Sequence, residues 1–310
     1  MNRGLNRFAI LVACATFFLI IAGALVTSND AGLATSDWPL SNGQFLPKMV
    51  GNMFWEHGHR MVATTVGVLT IVLAVYIRVK EKREWVWKFA LFALIAVIAQ
   101  GLLGALTVKM NLPLAVSAAH ATLAQLFFCT TVSIAVFTSR SWIAAEPLHE
   151  DKDVLPLRYL CTAALVTIFL QLIVGATLRH SAPWDQRLPT ELIVAHVIGA
   201  LAVTLALGSA AVTTLKRHKD QPFLTRPAVI ALSLLVVQLF LGLEAYLTRS
   251  ASPKDPQPLN PMISITVAHV ACGALVFVST IVLTLRTYRV LPATAERSSW
   301  SARPQESQVT

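Results

Sequence analysis

Four histidines carry the chemistry that this sequence suggests. His59, His120, His196 and His269 each lie in a separate apolar run, near its beginning, and three of them follow an alanine directly as Ala119-His120, Ala195-His196 and Ala268-His269. A single histidine in such a run is usually a hydrogen-bonded packing residue. Four at equivalent depth form a pattern, and ionisable residues inside a membrane are costly and tend to be functional. Imidazole is a common axial ligand of heme iron, so four imidazoles can make two bis-histidine sites. A zinc or di-iron centre would call for several carboxylates at fixed spacing. Only one Glu-x-x-His occurs, Glu56–His59, and a proton relay would need more intramembrane acids than the runs contain. On the residues alone, two heme sites lead, and a different metal site or a transport pathway stays open.

The segment Glu56-His57-Gly58-His59-Arg60 adds a second element. Glu56 and His59 share a helix face at i,i+3, and Glu56 and Arg60 can pair at i,i+4. His57 points about 100° away from that face. A simple ion pair accounts for Arg60. For Glu56 the competing reading is a carboxylate beside a metal ligand, placed to take a proton or to stabilise charge on a reacting group. A Glu stands next to the histidine in one half of the chain only, so the two sites would differ. The N-terminal half would be reactive and the C-terminal half would hold a permanent electron-transfer group. Arg60, Arg179 and Arg249 lie near the same helix ends and are candidates for anionic propionates, with snorkelling to the interface as the plainer reading. Glu244 either faces a cavity or pairs with Arg249. His149 and His218 read as solvated loop residues, and His180 as a loop residue beside Arg179.

Long apolar helices must position these side chains. The chain has 310 residues, of which 55% are hydrophobic and 13% charged, and its mean hydropathy is +0.63. Soluble domains carry about 25% charged residues. Eight runs reach the roughly 20 residues that cross a bilayer: Phe8–Thr27, Phe54–Val79, Val86–Thr107, Leu114–Thr138, Tyr159–Leu178, Glu191–Leu215, Ala228–Thr248 and Met262–Leu285. None alternates as a strand would, so helices are expected. The expected fold class is an all-α membrane protein, with eight transmembrane helices arranged as two pseudo-symmetric four-helix bundles.

The net charge of +9 would raise the question of nucleic acid in a soluble protein. Here topology accounts for it. Eighteen of the 25 Lys and Arg residues fall in the N-terminus, the even-numbered loops with the run ends that border them (Arg78, Lys88) and the tail, six fall in the odd-numbered loops, and Arg60 lies deeper within the second run. The positive-inside rule then puts both termini in the cytoplasm, and no nucleic-acid partner is needed. Trp38, Trp55, Trp85, Trp87, Trp142 and Trp184 lie in loops or at run ends, as an interfacial belt does. The first run is too long for a signal-peptide core and reads as a retained helix. Cys14, Cys129, Cys161 and Cys272 all fall within runs, so no structural disulfide is expected and each reads as a small packing residue.

The runs repeat. Gln100-Gly-Leu-Leu-Gly104-Ala105, Gln171-Leu-Ile-Val-Gly175-Ala176 and Gln238-Leu-Phe-Leu-Gly242 close the third, fifth and seventh. The first run has Ala22-Gly23-Ala24 at the same depth without the Gln. Small residues of this kind serve close helix packing in membranes, which is the favoured reading of the motif. The expected organisation is residues 1–140 as an N-terminal four-helix half, 141–157 as a cytoplasmic linker rich in charge (Glu146, His149, Glu150, Asp151, Lys152, Asp153), 158–290 as a C-terminal half, and 291–310 as a disordered tail.

Taken together, these residues resemble the heme A synthase family. The resemblance covers about residues 8–290. Its most specific parts are Glu56-x-x-His59-Arg60, the loop Gly32-Leu-Ala-Thr-Ser-Asp37-Trp38-Pro39-Leu40, and His120, His196 and His269. It implies a membrane oxidoreductase that converts heme O to heme A for terminal oxidases, oxidising a porphyrin methyl group to a formyl group through a hydroxymethyl stage. It implies heme O between His59 and His120, heme b between His196 and His269 as the route for electrons, and Glu56 as the catalytic residue. It also implies a multi-pass protein of the bacterial inner membrane, with the heme O-making farnesyltransferase, a membrane electron acceptor and further copies of the chain as possible partners. Many members carry a cysteine pair in the first outer loop, and here Thr35 and Ser41 stand in those places. Two rivals remain. A di-heme, quinol-linked cytochrome b would need the histidines but not Glu56. A heme-free transporter would show helices broken by Gly or Pro at mid-membrane.

Overall fold

The computed structural model describes residues 2–148, 155–182, 187–251 and 258–291. Trp184, Lys254, the linker residues His149, Glu150, Asp151, Lys152 and Asp153, and the tail after Leu291 lie outside the described residues.

Among the described residues the apolar runs form eight long helices, and a ninth, short one lies in the fourth loop: α1 (Arg3–Ser28), α2 (Asn52–Lys80), α3 (Glu84–Lys109), α4 (Leu114–Phe137), α5 (Arg140–Ile143), α6 (Leu157–His180), α7 (Thr190–Arg217), α8 (Pro222–Ala251) and α9 (Asn260–Val290). All except α5 are long and apolar enough to cross a membrane. Most extend beyond the expected spans at one or both ends, because the helix runs on past the apolar stretch into basic residues. Arg78 and Lys80 of α2, Lys216 and Arg217 of α7, and Arg289 of α9 occupy last turns, where cations complement the helix dipole and long side chains reach an interface.

The first four long helices form a closed ring of contacts in the order α1, α2, α3, α4, and the last four do the same as α6, α7, α8, α9. Across the halves, α1 packs on α9, α4 on α6, and α4 on α9. Exchanging α1 with α6 and α4 with α9 reproduces that set, which is the pattern of two pseudo-symmetric bundles. The central helices α4 and α9 are the most buried of the eight. Phe128 and Cys129 of α4 share one apolar cluster with Ala164 and Ile168 of α6 and with Phe277 and Val278 of α9.

Proline marks helix starts at Pro113, Pro189 and Pro261. Pro227 does not. Expected at a span end, it lies inside α8. Proline has no N–H to donate, so the carbonyl four residues earlier is left open. That carbonyl belongs to Phe223, and Arg286 of α9 donates to it at 3.0 Å while its guanidinium lies 4.7 Å from the Phe223 ring centroid. A second correction concerns His180, which is the last residue of α6 rather than a loop residue. The four cysteines are free, with Cys14 exposed and the others buried.

Candidate functional site

His59, His120, His196 and His269 stand at the starts of α2, α4, α7 and α9, about two turns in, all at the end of the bundle that carries the α1–α2 loop. Each ring lies against a glycine of the preceding long helix. A Cβ built on Gly23 would come 3.1 Å from His59 Cε1, on Gly104 3.2 Å from His120 Cε1, on Gly175 3.0 Å from His196 Cε1, and on Gly242 3.0 Å from His269 Cε1. The small residues of the repeat therefore do serve close packing, and what they admit is an imidazole.

The repeated glutamines reach the same residues. Gln100 Nε2 donates to the His120 backbone carbonyl at 2.8 Å, and Gln171 Nε2 donates to that of His196 at 2.8 Å while lying 3.1 Å from His196 Nδ1. Gln238 Nε2 lies 3.3 Å from His269 Nε2. In the C-terminal half the His196 and His269 rings are 6.3 Å apart between centroids, tilted by 67°. In the N-terminal half His59 and His120 lie within electrostatic reach of each other. The Nδ1 atoms of His59, His120 and His269 are buried without a hydrogen-bond partner. Among the described residues no group of three His, Cys, Asp or Glu side chains gathers as a multidentate metal cage would.

Glu56 is 4% exposed. Its Oε2 accepts from the Thr35 backbone N–H at 3.1 Å, and its Oε1 pairs with Arg60. Arg60 does more than form the expected i,i+4 pair. Its NH1 donates to the carbonyls of Asp37 and Leu40, both at 2.8 Å, and reaches Ser41 Oγ at 3.4 Å. The guanidinium thus buckles the first loop onto α2.

Thr35 and Ser41 are 3% and 0% exposed. Thr35 Oγ1 accepts from the Asp37 and Asn42 N–H groups and bonds Asn42 Oδ1, each at 3.3 Å. Ser41 Oγ lies 2.9 Å from His57 Nδ1. His57 therefore faces the loop, away from the Glu56/His59 side, as its helical position requires. The loop reverses at Ser41-Asn42-Gly43-Gln44, where Asn42 and Gly43 have φ of 51° and 71° and Ser41 and Gln44 exchange backbone bonds. Two positive φ values favour Asn-Gly in such a turn, and Gly43 N–H also donates to Asp37 Oδ2 at 2.9 Å.

Arg179 of α6 donates to Ser28 Oγ of α1 at 3.0 Å, which joins the two halves at this end, and Arg249 and Asp30 lie within electrostatic reach of it. His180 lies within the same reach of His120. Glu244 is exposed on the surface of α8. The loop contacts of Arg60 and the glutamine contacts to the histidines were not assigned from sequence. The Gln-x-x-x-Gly repeat was the available signal for the second.

These features define an eight-helix membrane protein with paired histidines in each of two bundles. A family model described as cytochrome oxidase assembly protein matches residues 49–183, a stretch that contains Glu56, His59, Arg60 and His120. Over longer stretches the chain is similar to three heme A synthases. That of Geobacillus kaustophilus is 24% identical over 334 residues, 98% of this chain and 99% of the relative. That of Bacillus licheniformis is 24% identical over 278 residues, 80% of this chain and 88% of the relative. That of Geobacillus thermodenitrificans is 24% identical over 316 residues, 95% and 96%. The likeness to heme A synthases thus extends over nearly the whole chain.

Proposed function

We propose that this protein oxidises heme O to heme A, carrying one porphyrin methyl group through a hydroxymethyl stage to the formyl group. The observation that carries this reading is the repeated seat, a histidine on a glycine in all four hairpins, with a buried carboxylate beside the histidine in one hairpin only. His59 and His120 would hold the substrate, and His196 and His269 would hold heme b. The spacing of the second pair supports this. The 6.3 Å between the His196 and His269 ring centroids is a separation at which both imidazoles could hold one heme iron. The buried, unpartnered Nδ1 atoms of His59, His120 and His269 are donors suited to heme iron. When bound there, heme b supplies electron transfer.

Glu56 is the residue proposed to act on the reacting group. The Thr35 and Ala34 backbone N–H groups and Arg60 hold the carboxylate in place, and a two-oxygen acceptor with about four lone-pair sites still has capacity to take a proton or to stabilise developing positive charge. Arg60 fixes Glu56 and closes the loop above it, which limits water near the substrate. Arg179 and Arg249 are the cations proposed to face propionates, with Arg60 adding its charge. The basic helix ends support cytoplasmic termini, and among the described residues none of the eight long helices is broken at its middle, Pro227 lying near the start of α8, which speaks against a transporter built on broken helices. A membrane host that makes heme O but lacks this conversion tests the proposal. Expression should give heme A, and heme O accumulating unchanged beside well-folded protein would contradict it.

A further inference from the structure

The first loop is laid round α2. At 100° per residue along a helix, Phe54, Met61 and Val68 of α2 form one exposed apolar row, and Glu56 and His59 stand on the opposite side. The loop visits these faces in order. Thr35 N–H donates to Glu56, Arg60 donates to the Leu40 carbonyl, and Ser41 Oγ lies 2.9 Å from His57 Nδ1. Met49 then reaches Gly58, where a Cβ would lie 3.9 Å from Met49 Cε. Counted from Phe54, the α2 residues in these four contacts stand at about 200°, 240°, 300° and 400°. The chain therefore passes round the helix in one direction, from the carboxylate to the side of the exposed row.

The end of this path is apolar and open. Phe45, Leu46 and Val50 are 83%, 77% and 76% exposed, while Pro47 among them is buried. Gly58 lies six residues into α2, about 9 Å along its axis, so Met49 holds this segment beside the outermost turns of a helix long and apolar enough to cross a membrane, not beyond its end. An exposed apolar patch marks an interaction surface. The bilayer is the cover that this position supplies, because the patch continues the exposed row of Phe54, Met61 and Val68. Lys48 is exposed in the same stretch, and its stem can lie on apolar surface while the ammonium reaches a phosphate. The segment is not helical, and unpaired backbone groups are not tolerated in hydrocarbon, which places it at the headgroup level.

We infer that residues 45–50 are a membrane-docking strap, seated in the leaflet at the histidine end of the bundle, with Phe45, Leu46 and Val50 at the acyl chains and Lys48 at the phosphates. The partner is the lipid surface itself. The loop that ends on Glu56 is thereby anchored at two places, on α2 by Arg60 and in the leaflet by this strap. The anchoring is independent of what the four histidines bind.

The test uses the full-length protein in liposomes of phosphatidylcholine and phosphatidylglycerol. In a Cys14→Ser background the remaining cysteines are buried. Phe45→Cys and Leu46→Cys then carry a bimane label, with Val68→Cys as the lipid-facing reference and Lys219→Cys, in the exposed turn between α7 and α8, as the aqueous one. Lipids bearing a nitroxide on the acyl chain should quench the labels at 45 and 46 several-fold more than the label at 219, and iodide should quench them several-fold less. Comparison of shallow and deep nitroxides should place both labels about 5–10 Å into the headgroup–acyl boundary. The unsubstituted protein gives a second measurement: a photoactivated diazirine carried on a lipid chain should label the peptide that spans residues 45–50. Labels at 45 and 46 that iodide quenches as it does the label at 219, or an unlabelled 45–50 peptide beside labelled α2 peptides, would overturn the inference. Labels shielded from both quenchers would also overturn it, since another protein surface would then cover the strap.

Discussion

The imidazole rings of His196 and His269, on α7 and α9, meet with centroids 6.3 Å apart and planes tilted by 67°. The residues are far apart in sequence and meet because α8 returns the chain between them and packs on both helices. On the proposed heme ligation, one pair of ligands per bundle is expected. Replacing either His196 or His269 by Ala should halve the heme carried per chain, and replacing His59 or His120 should remove the other half. Heme quantified per mole of each purified variant checks this. Loss of both hemes from each single variant, with the helical fold intact, would contradict separate sites.

Glu56→Gln should leave heme content near wild type and stop conversion beyond the substrate or the alcohol. Glutamine preserves the side-chain shape and can still accept from the Thr35 N–H, but it offers neither a basic carboxylate nor its charge. Mass analysis of extracted hemes is the readout, and a normal yield of heme A would end the catalytic role proposed for this residue.

Arg60→Lys should resemble Arg60→Leu more than wild type. The planar guanidinium serves the Asp37 and Leu40 carbonyls and the Glu56 carboxylate together, and a lysine ammonium does not reproduce that fork. Hydrogen bonds to charged groups are each worth about 1.5–3 kcal/mol, so the first loop should become open to proteolysis near Asn42-Gly43. Displacing the site by about 1 Å can cost on the order of 100-fold in rate, and a loss of that size is expected here. Unchanged cleavage and rate would show that the loop is held otherwise.

Much of this arrangement was legible in the sequence. Eight apolar runs, the charge bias and the glycine-to-histidine repeat follow from composition and spacing, because helix formation in an apolar medium is local. The tertiary uses of polar groups were not. The i,i+4 pairing of Glu56 with Arg60 was a visible option, but the carbonyls of Asp37 and Leu40 come from a loop whose course depends on a turn at Asn42-Gly43. Pro227 read as a span boundary, and only the packing of α9 on α8 reveals that Arg286 occupies the carbonyl which the proline leaves open. Thr35 and Ser41 stand in sequence as missing thiols. In the fold they are buried hydrogen-bonding posts that tie the loop to Glu56 and His57.

The Pro227–Arg286 relationship predicts coupling. Arg286→Met should destabilise the protein by about 1–3 kcal/mol by leaving the Phe223 carbonyl unsatisfied. In a Pro227→Ala background the loss should be smaller, because that substitution restores a backbone N–H that can bond the carbonyl within α8. A double-mutant cycle on thermal or denaturant unfolding in detergent measures the difference, and additive effects would count against this account.

The most direct test of the central claim is extraction of the hemes from the purified, detergent-solubilised protein, followed by chromatographic separation and mass identification. The account predicts heme b together with heme O, heme A or the hydroxymethyl intermediate, and loss of the second species when His59 is replaced. Protein from heme-replete cells that carries no heme, or heme b alone after heme O has been supplied, would contradict it.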